Sequence, residues 1–251
     1  MRGRQEHRLA ASDGIVLSLD QYGQETGDAV VILCPGFLQS KDTPTFRRLA
    51  TALAESCDVI AMDFRGHGRS RGRYTFSASE DKDLEAVLDW ANARYQQVGV
   101  LGFSLGAAVA INAVARRPHQ VRSVVAVSAP CAFEEIDLKW WTPEAIRTGV
   151  QGLEPGAGCR PGSLFLKKER PIDTIRTLHQ LPILLIHGTA DTIVGAAHSR
   201  RLYAAAPEPK RLEIIEGGGH AELLFRDDSR RFRDLVNAWF AQTLFSRPTP
   251  S

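Results

Sequence analysis

The sequence predicts an α/β protein: a mostly parallel central sheet of about eight strands, with helices on both faces and one small insertion. Two observations carry this. Short apolar or β-branched runs alternate along the chain with longer stretches of helical periodicity, the pattern of a sheet whose crossovers are helices. The length, 251 residues, suits one such domain with a sizeable core, so 1–251 is read as a single unit. Taken in order, Asp13-Gly14 reads as a hairpin turn before the strand Ile15–Leu19, so the sheet is expected to begin with antiparallel strands. Strands follow at Ala29–Cys34 and Asp58–Met62, with a helix over Phe46–Glu55 between them. Next come a helix at Glu80–Ala93, a strand at Val98–Phe103, a helix at Leu105–Arg116 and a strand at Val121–Val127. The last cycle has strands at Ile183–Ile186 and Arg211–Ile215 and helices at His198–Ala205 and Arg230–Leu244. No internal repeat is visible.

One stretch breaks the alternation. From about 131 to 172 there is no strand-helix cycle; Trp140-Trp141 is followed by Gly152, Pro155, Gly156, Gly158, Pro161 and Gly162. A loop this long inside a compact domain is either functional or a loose surface insertion. Its position between two strands of the alternation favours a small lid. Trp140, Trp141, Leu164, Phe165 and Leu166 give it apolar side chains, which either wall a substrate pocket or anchor the segment to the core.

Charge and composition exclude several classes. With 31 basic against 29 acidic residues and a formal net charge of +2, there is no broad field for nucleic acid or an anionic membrane. Val98 to Ala115 is uncharged and ends at Arg116-Arg117, the hydropathy of a membrane span. Gly102, Ser104, Gly106 and Asn112 interrupt it, however, and a strand-turn-helix accounts for those residues where a lipid-facing helix does not. No span is expected. The N-terminus carries no apolar leader, so cytoplasmic residence is expected. Cys34, Cys57, Cys131 and Cys159 are scattered, without a CxxC pair or zinc-like spacing to the seven histidines. They read as reduced, small core residues, and no metal is expected. Monomer and homodimer are equally compatible with this composition.

The most informative feature is Gly102-Phe103-Ser104-Leu105-Gly106, where a buried strand turns into a small-residue helix. A serine on so sharp a turn occupies a strained backbone conformation, and side chains two residues to either side would collide with facing backbone. Glycine at 102 and 106 removes that collision. A serine hydroxyl needs a base, and the base needs an orienting group. After the strand Ile183-Leu-Leu-Ile186 comes His187-Gly-Thr-Ala-Asp191, and after Arg211–Ile215 comes Glu216-Gly-Gly-Gly-His220. Ser104, Asp191 and His220 are therefore all expected at the carboxyl ends of strands, where the ligands of open α/β sheets bind. Asp63 also ends a strand and competes as the acid. His67 and His187 read as structural, and Glu222 as a helix-start charge.

Over nearly its whole length the chain resembles an α/β-hydrolase. The order Ser104, Asp191, His220 matches that superfamily and not the serine-protease orders. Asp63-Phe-Arg-Gly-His-Gly-Arg-Ser70 is similar to the family's D-x-R-G-x-G-x-S turn, and Pro35-Gly36-Phe37 to its oxyanion turn. The resemblance implies that Ser104 is the nucleophile, His220 the general acid/base and Asp191 the acid that fixes the imidazole. It also implies an oxyanion hole from the backbone N–H groups of Phe37 and Leu105. Many relatives have His-Gly where this chain has Pro35-Gly36, so a histidine that often braces the loop is absent; proline fixes its own backbone angle instead.

Cys34 through Trp90, with Tyr74-Thr-Phe76 and Asp83-Leu-Glu-Ala-Val-Leu-Asp-Trp90, is similar to bacterial carboxylesterases of the small-lid, lysophospholipase-like or serine-aminopeptidase-like group. That implies a cofactor-free serine esterase acting on small esters of short to medium acyl chain. Thioesterase, amidase or peptidase, and carbon–carbon bond hydrolase chemistry use the same triad. Serine at 104 argues against dehalogenase and epoxide-hydrolase chemistry, which uses aspartate. A non-catalytic ligand receptor would be expected to have a damaged triad, and all three residues are present.

Overall fold

The computed structural model describes residues 3–23, 28–136, 154–163 and 165–245. Its strands are β1 (Arg4–Ala10), β2 (Val16–Tyr22), β3 (Ala29–Cys34), β4 (Asp58–Met62), β5 (Gln97–Phe103), β6 (Ser123–Val127), β7 (Ile183–Gly188) and β8 (Lys210–Ile215). They form one sheet in the order β1-β2-β4-β3-β5-β6-β7-β8. β2 pairs antiparallel with β1 and β4, and every other pairing is parallel. The expected hairpin is present: Ala11 N–H donates to Ile15 O at 2.8 Å, and Gly14 turns the chain at φ +80°.

Strand β1 escapes sequence reading because RQEHRLA has no buried face; its residues are exposed or half-buried. Charge along an edge strand discourages pairing with another sheet. The helices are α1 (Pro44–Leu53), α2 (Glu80–Asn92), α3 (Leu105–Arg116), the short α4 (Pro171–Thr174), α5 (Ala197–Ala205), the short α6 (Leu223–Asp227) and α7 (Ser229–Thr243). Alternation along the strands feeds two cores. Val30, Ile32 and Cys34 point to the face covered by α2, α3 and α5, with Leu84, Ile111 and Leu202. Val31 and Leu33 point to the face covered by α1, α6 and α7, with Phe46, Phe225, Phe232 and Phe240. The uncharged run from 98 to 115 is thus β5 plus α3, and among the described residues no helix is long and apolar enough to cross a membrane. All four cysteines are free, but only Cys34 and Cys131 are core residues; Cys57 and Cys159 are half-buried.

The insertion closes at its base, where Ile172 N–H donates to Cys131 O at 2.9 Å. Its return arm is bound by backbone: Gly158 N–H to Leu38 O (2.6 Å), Arg160 N–H to Gly66 O (2.7 Å), Tyr74 N–H to Arg160 O (2.8 Å) and Gly162 N–H to Tyr74 O (2.6 Å). Residues 158–162 are therefore an ordered strap across the turn at 66–74. Trp140, Trp141 and Leu164 lie outside the described residues.

Between β3 and α1 the chain is held by a buried ionic knot. Lys41 is fully buried, with Nζ 3.1 Å from Asp20, 3.2 Å from Asp42 and 4.0 Å from Asp63. Removing one member of a buried pair strands the others. Lys41→Met should therefore destabilise the fold by about 3–5 kcal/mol, read from urea denaturation at neutral pH. A loss under about 1 kcal/mol would show that the carboxylates find other partners.

Candidate active site

Strand β5 delivers Ser104 to the bend at φ +50°, ψ −120°, outside the regions an L-residue ordinarily occupies. Crowding explains the glycines. A Cβ on Gly102 would lie 2.7 Å from Ala107 Cα, and one on Gly106 would strike the carbonyl oxygens of Pro35 and Cys34. The bend is pinned from the neighbouring strand, because Ser104 N–H donates to Val127 O at 2.8 Å.

Loops after β7 and β8 bring the other two groups to the same edge. Ser104 Oγ–H donates to His220 Nε2 (2.9 Å), and His220 Nδ1–H donates to Asp191 Oδ2 (2.7 Å). The opposite carboxylate oxygen, Oδ1, accepts from the N–H groups of Ile193 (3.0 Å) and Val194 (2.9 Å). Burial opposes ionisation of Asp191. The His220 charge, bonds from His187 and His220 and the Val194 N–H outweigh it and hold the carboxyl far below the usual range. Burial would likewise depress His220, but the Asp191 charge and hydrogen bond dominate and raise its pKa. A hydroxyl, a basic imidazole and a permanently ionised acceptor in line can transfer the serine proton as the oxygen attacks a carbonyl.

The competing residues have other partners. Asp63 accepts from Lys41 N–H (2.8 Å) and Arg69 N–H (2.9 Å), stapling the turn at 63–70, and burial raises its pKa. His187 is fully buried, with Nδ1 2.6 Å from Ser199 Oγ and Nε2 2.6 Å from Val194 O; the same Nε2 lies 3.2 Å from Asp191 Oδ2. It supports the acid from behind.

Facing Ser104 is the turn Gly36-Phe37-Leu38-Gln39, closed by Gln39 N–H to Gly36 O at 3.2 Å. A Cβ on Gly36 would lie 3.3 Å from Ser104 Cβ, so this turn abuts the serine. Phe37 N–H and Leu105 N–H donate to no other described residue, and Leu105 is the first residue of α3, where N–H groups lack intrahelical partners. Beside the turn Phe37 stacks on Tyr74 (5.6 Å) and meets Phe76 (5.1 Å).

Two contacts here were not legible in the sequence. Ser128 Oγ accepts from Ala221 N–H at 3.0 Å, holding the backbone just past His220. Glu222, read as a helix-start charge, accepts from Gln39 Nε2 at 2.7 Å and ties that same loop to the turn at 36–39; burial raises its pKa. One expectation needs correction. Phe165 is 98% exposed, so its ring lies in solvent and does not wall a pocket.

The alpha/beta hydrolase fold family profile matches residues 29–144, and that of the serine aminopeptidase S33 family matches residues 168–227. An uncharacterized protein of Mycobacterium tuberculosis is 30% identical over 220 residues, covering 85% of this chain and 70% of its own. The human serine hydrolase BPHL is 25% identical over 248 residues, covering 89% and 84%. Among solved structures, the Pyrococcus furiosus esterase Pf2001 superposes with a TM-score of 0.77 at 22% identity, over 97% of this chain and 94% of that one. The esterase RhEst1 from Rhodococcus does so with a TM-score of 0.77 at 23% identity, over 94% and 98%.

His220 must be neutral to accept a proton, and Asp191 raises its pKa. Activity should therefore rise with pH through an inflection above the ordinary imidazole value of about 6.5. Asp191→Asn should lower that inflection and cut turnover by about 10⁴-fold. Asp63→Asn, at equal folded fraction, should cost less than about tenfold, since it mainly weakens a turn. A reversed ranking would reassign the acid to Asp63.

Proposed function

The chain belongs to the alpha/beta hydrolase fold family, and from that premise we propose that it is a serine hydrolase cleaving carboxylic esters of short to medium acyl chain through an acyl-enzyme. The observation that carries this reading is the continuous hydrogen-bonded line from Ser104 through His220 to Asp191, at the strand edge facing the oxyanion turn. In this reading Ser104 Oγ attacks the ester carbonyl as its proton passes to His220 Nε2. The negative oxygen of the tetrahedral intermediate takes the N–H groups of Phe37 and Leu105. His220 then protonates the departing alcohol, and water repeats the cycle on the acyl-serine. Asp191 stays ionised throughout and balances the imidazolium.

Several features support esters and modest size. The described part of the insertion is a strap rather than a large helical cap, and the apolar surface beside the oxyanion turn comes from Phe37 and Phe76. Each methylene buried on such a surface adds about 0.8 kcal/mol, or about fourfold in kcat/KM, until the wall is reached. The serine aminopeptidase profile covers Asp191 and His220, which favours amide cleavage as the second reading; amide and thioester analogues belong in the same assay. A small-molecule ester as partner and a cytoplasmic setting complete the proposal.

Ser104→Ala should abolish the burst of nitrophenol and lower ester turnover by about 10⁴- to 10⁶-fold while the protein stays folded. Near-native turnover in that variant would sink the assignment. Across nitrophenyl esters from acetate to palmitate, kcat/KM should peak at short to medium chains. Phe76→Ala should move the peak, and Phe165→Ala should leave it in place because that ring is in solvent. A peak at palmitate would remove the size limit.

A further inference from the structure

We propose that His67, in the Arg65-Gly66-His67-Gly68 turn, is the positioning residue of the oxyanion turn, serving as the ring acceptor that holds Leu38 N–H and thereby aims Phe37 N–H at the reacting carbonyl. The inference rests on the serine-hydrolase reading above. Leu38 is a non-glycine residue at φ +66°, a conformation that persists only where its surroundings fix it. It is fixed at both ends. Its N–H donates to His67 Nε2 at 3.2 Å, and its C=O accepts from Gly158 N–H of the return arm at 2.6 Å. The adjoining peptide unit contains both Gly36 C=O and Phe37 N–H, and Gln39 N–H holds that carbonyl at 3.2 Å. The two peptide planes meet at Phe37 Cα, where only φ and ψ of Phe37 separate them; with one plane held at Gly36 O and the other at Leu38 N–H, those angles and the direction of Phe37 N–H are fixed.

The ring is set up for this role. His67 Nδ1–H donates to Arg65 O at 3.2 Å, which places the proton on Nδ1 and leaves the Nε2 lone pair for Leu38. Tyr74 stands edge-on to the imidazole at 4.5 Å, and Phe37 at 6.3 Å, so two aromatic rings pack against it. Burial lowers its pKa to about 4, against the bond to Arg65 O, so the ring is neutral wherever His220 can act as a base. Pro35 precedes Gly36 in this chain, so no neighbouring histidine braces the turn from within. The brace comes instead from the turn after β4, and Asp63 fastens that turn to the N–H groups of Lys41 and Arg69.

The test compares His67→Phe, a ring without an acceptor, with His67→Gln, whose amide oxygen can accept from Leu38 N–H. Stationary turnover of nitrophenyl butyrate is normalised to active sites by end-point titration with an alkyl fluorophosphonate. His67→Phe should lower kcat by about 10- to 100-fold with KM nearly unchanged. It should weaken inhibition by a phenylboronic acid, whose tetrahedral adduct mimics the intermediate, by a similar factor. His67→Gln should recover most of both losses. Native kcat in His67→Phe, or equal losses in the two variants, would overturn the proposal. If His67→Phe does not fold, His67→Met supplies the same comparison. Failure of an alkyl fluorophosphonate to label Ser104 in the unsubstituted protein would instead overturn the serine-hydrolase reading.

Discussion

The strained backbone of Ser104 is the constraint on which the rest of the site depends. Holding a non-glycine residue at φ +50°, ψ −120° costs about 1–3 kcal/mol, so the fold must over-determine it. It does so through the strand ends. Ser104 N–H is tied to Val127 O, Ser128 N–H to Ile186 O, and Thr189 N–H to Ile215 O, at 2.8, 2.8 and 3.0 Å. The ladder thus continues one residue past β5, β6 and β7, and the loops carrying Ser104, Asp191 and His220 leave a single stitched edge. Ser128 and Ala221 also sit at φ +50°, and the bond between Ser128 Oγ and Ala221 N–H links the two bends.

Much of this was legible in the sequence, for identifiable reasons. Buried parallel strands are continuous apolar runs, so β3, β4, β5 and β7 stand out. The glycines at 102 and 106 reveal a collision that a side chain at either position would suffer. What escaped detection lacks such a one-dimensional mark. β1 has no buried face, and α6 is a single turn. The bonds from Gln39 to Glu222 and from Ser128 to Ala221 join residues 183 and 93 positions apart, so no spacing announces them. His67 and His187 read as structural because each sits in a turn or strand end. Only their ring partners show that one bonds Leu38 N–H in the turn facing Ser104 and the other lies against Asp191. Phe165 shows the opposite failure, since apolar composition in an insertion does not say which side chains turn inward.

The choice between Asp191 and Asp63 shows why position at a strand end does not by itself define a role. Both are buried, both end parallel strands, and both accept two backbone N–H groups. They differ in what remains. Asp63 divides those bonds between its two oxygens, one from Lys41 and one from Arg69, which closes the turn around it and leaves burial to raise its pKa. Asp191 takes both on Oδ1, so Oδ2 is left for the imidazole. An acid committed on one oxygen only can orient a base with the other.

That division also settles the tautomer of His220. His220 Nδ1 lies 2.7 Å from Asp191 Oδ2, and a carboxylate oxygen accepts, so the neutral ring carries its proton on Nδ1. The lone pair then lies on Nε2, 2.9 Å from Ser104 Oγ. His187 reinforces the arrangement, since its Nε2–H faces Val194 O and the same Oδ2 and so opposes protonation of that oxygen. His67 uses the same logic at the oxyanion turn, where a bond at Nδ1 leaves Nε2 as an acceptor. In each of His220 and His67 one ring nitrogen is fixed by a protein oxygen and the other is left as the acceptor the site needs. A site built this way requires neutral imidazoles, which is why burial, otherwise a penalty for ionisable groups, suits His67, whereas His220, whose pKa Asp191 raises, has a carboxylate at 2.7 Å to balance the charge it would take up.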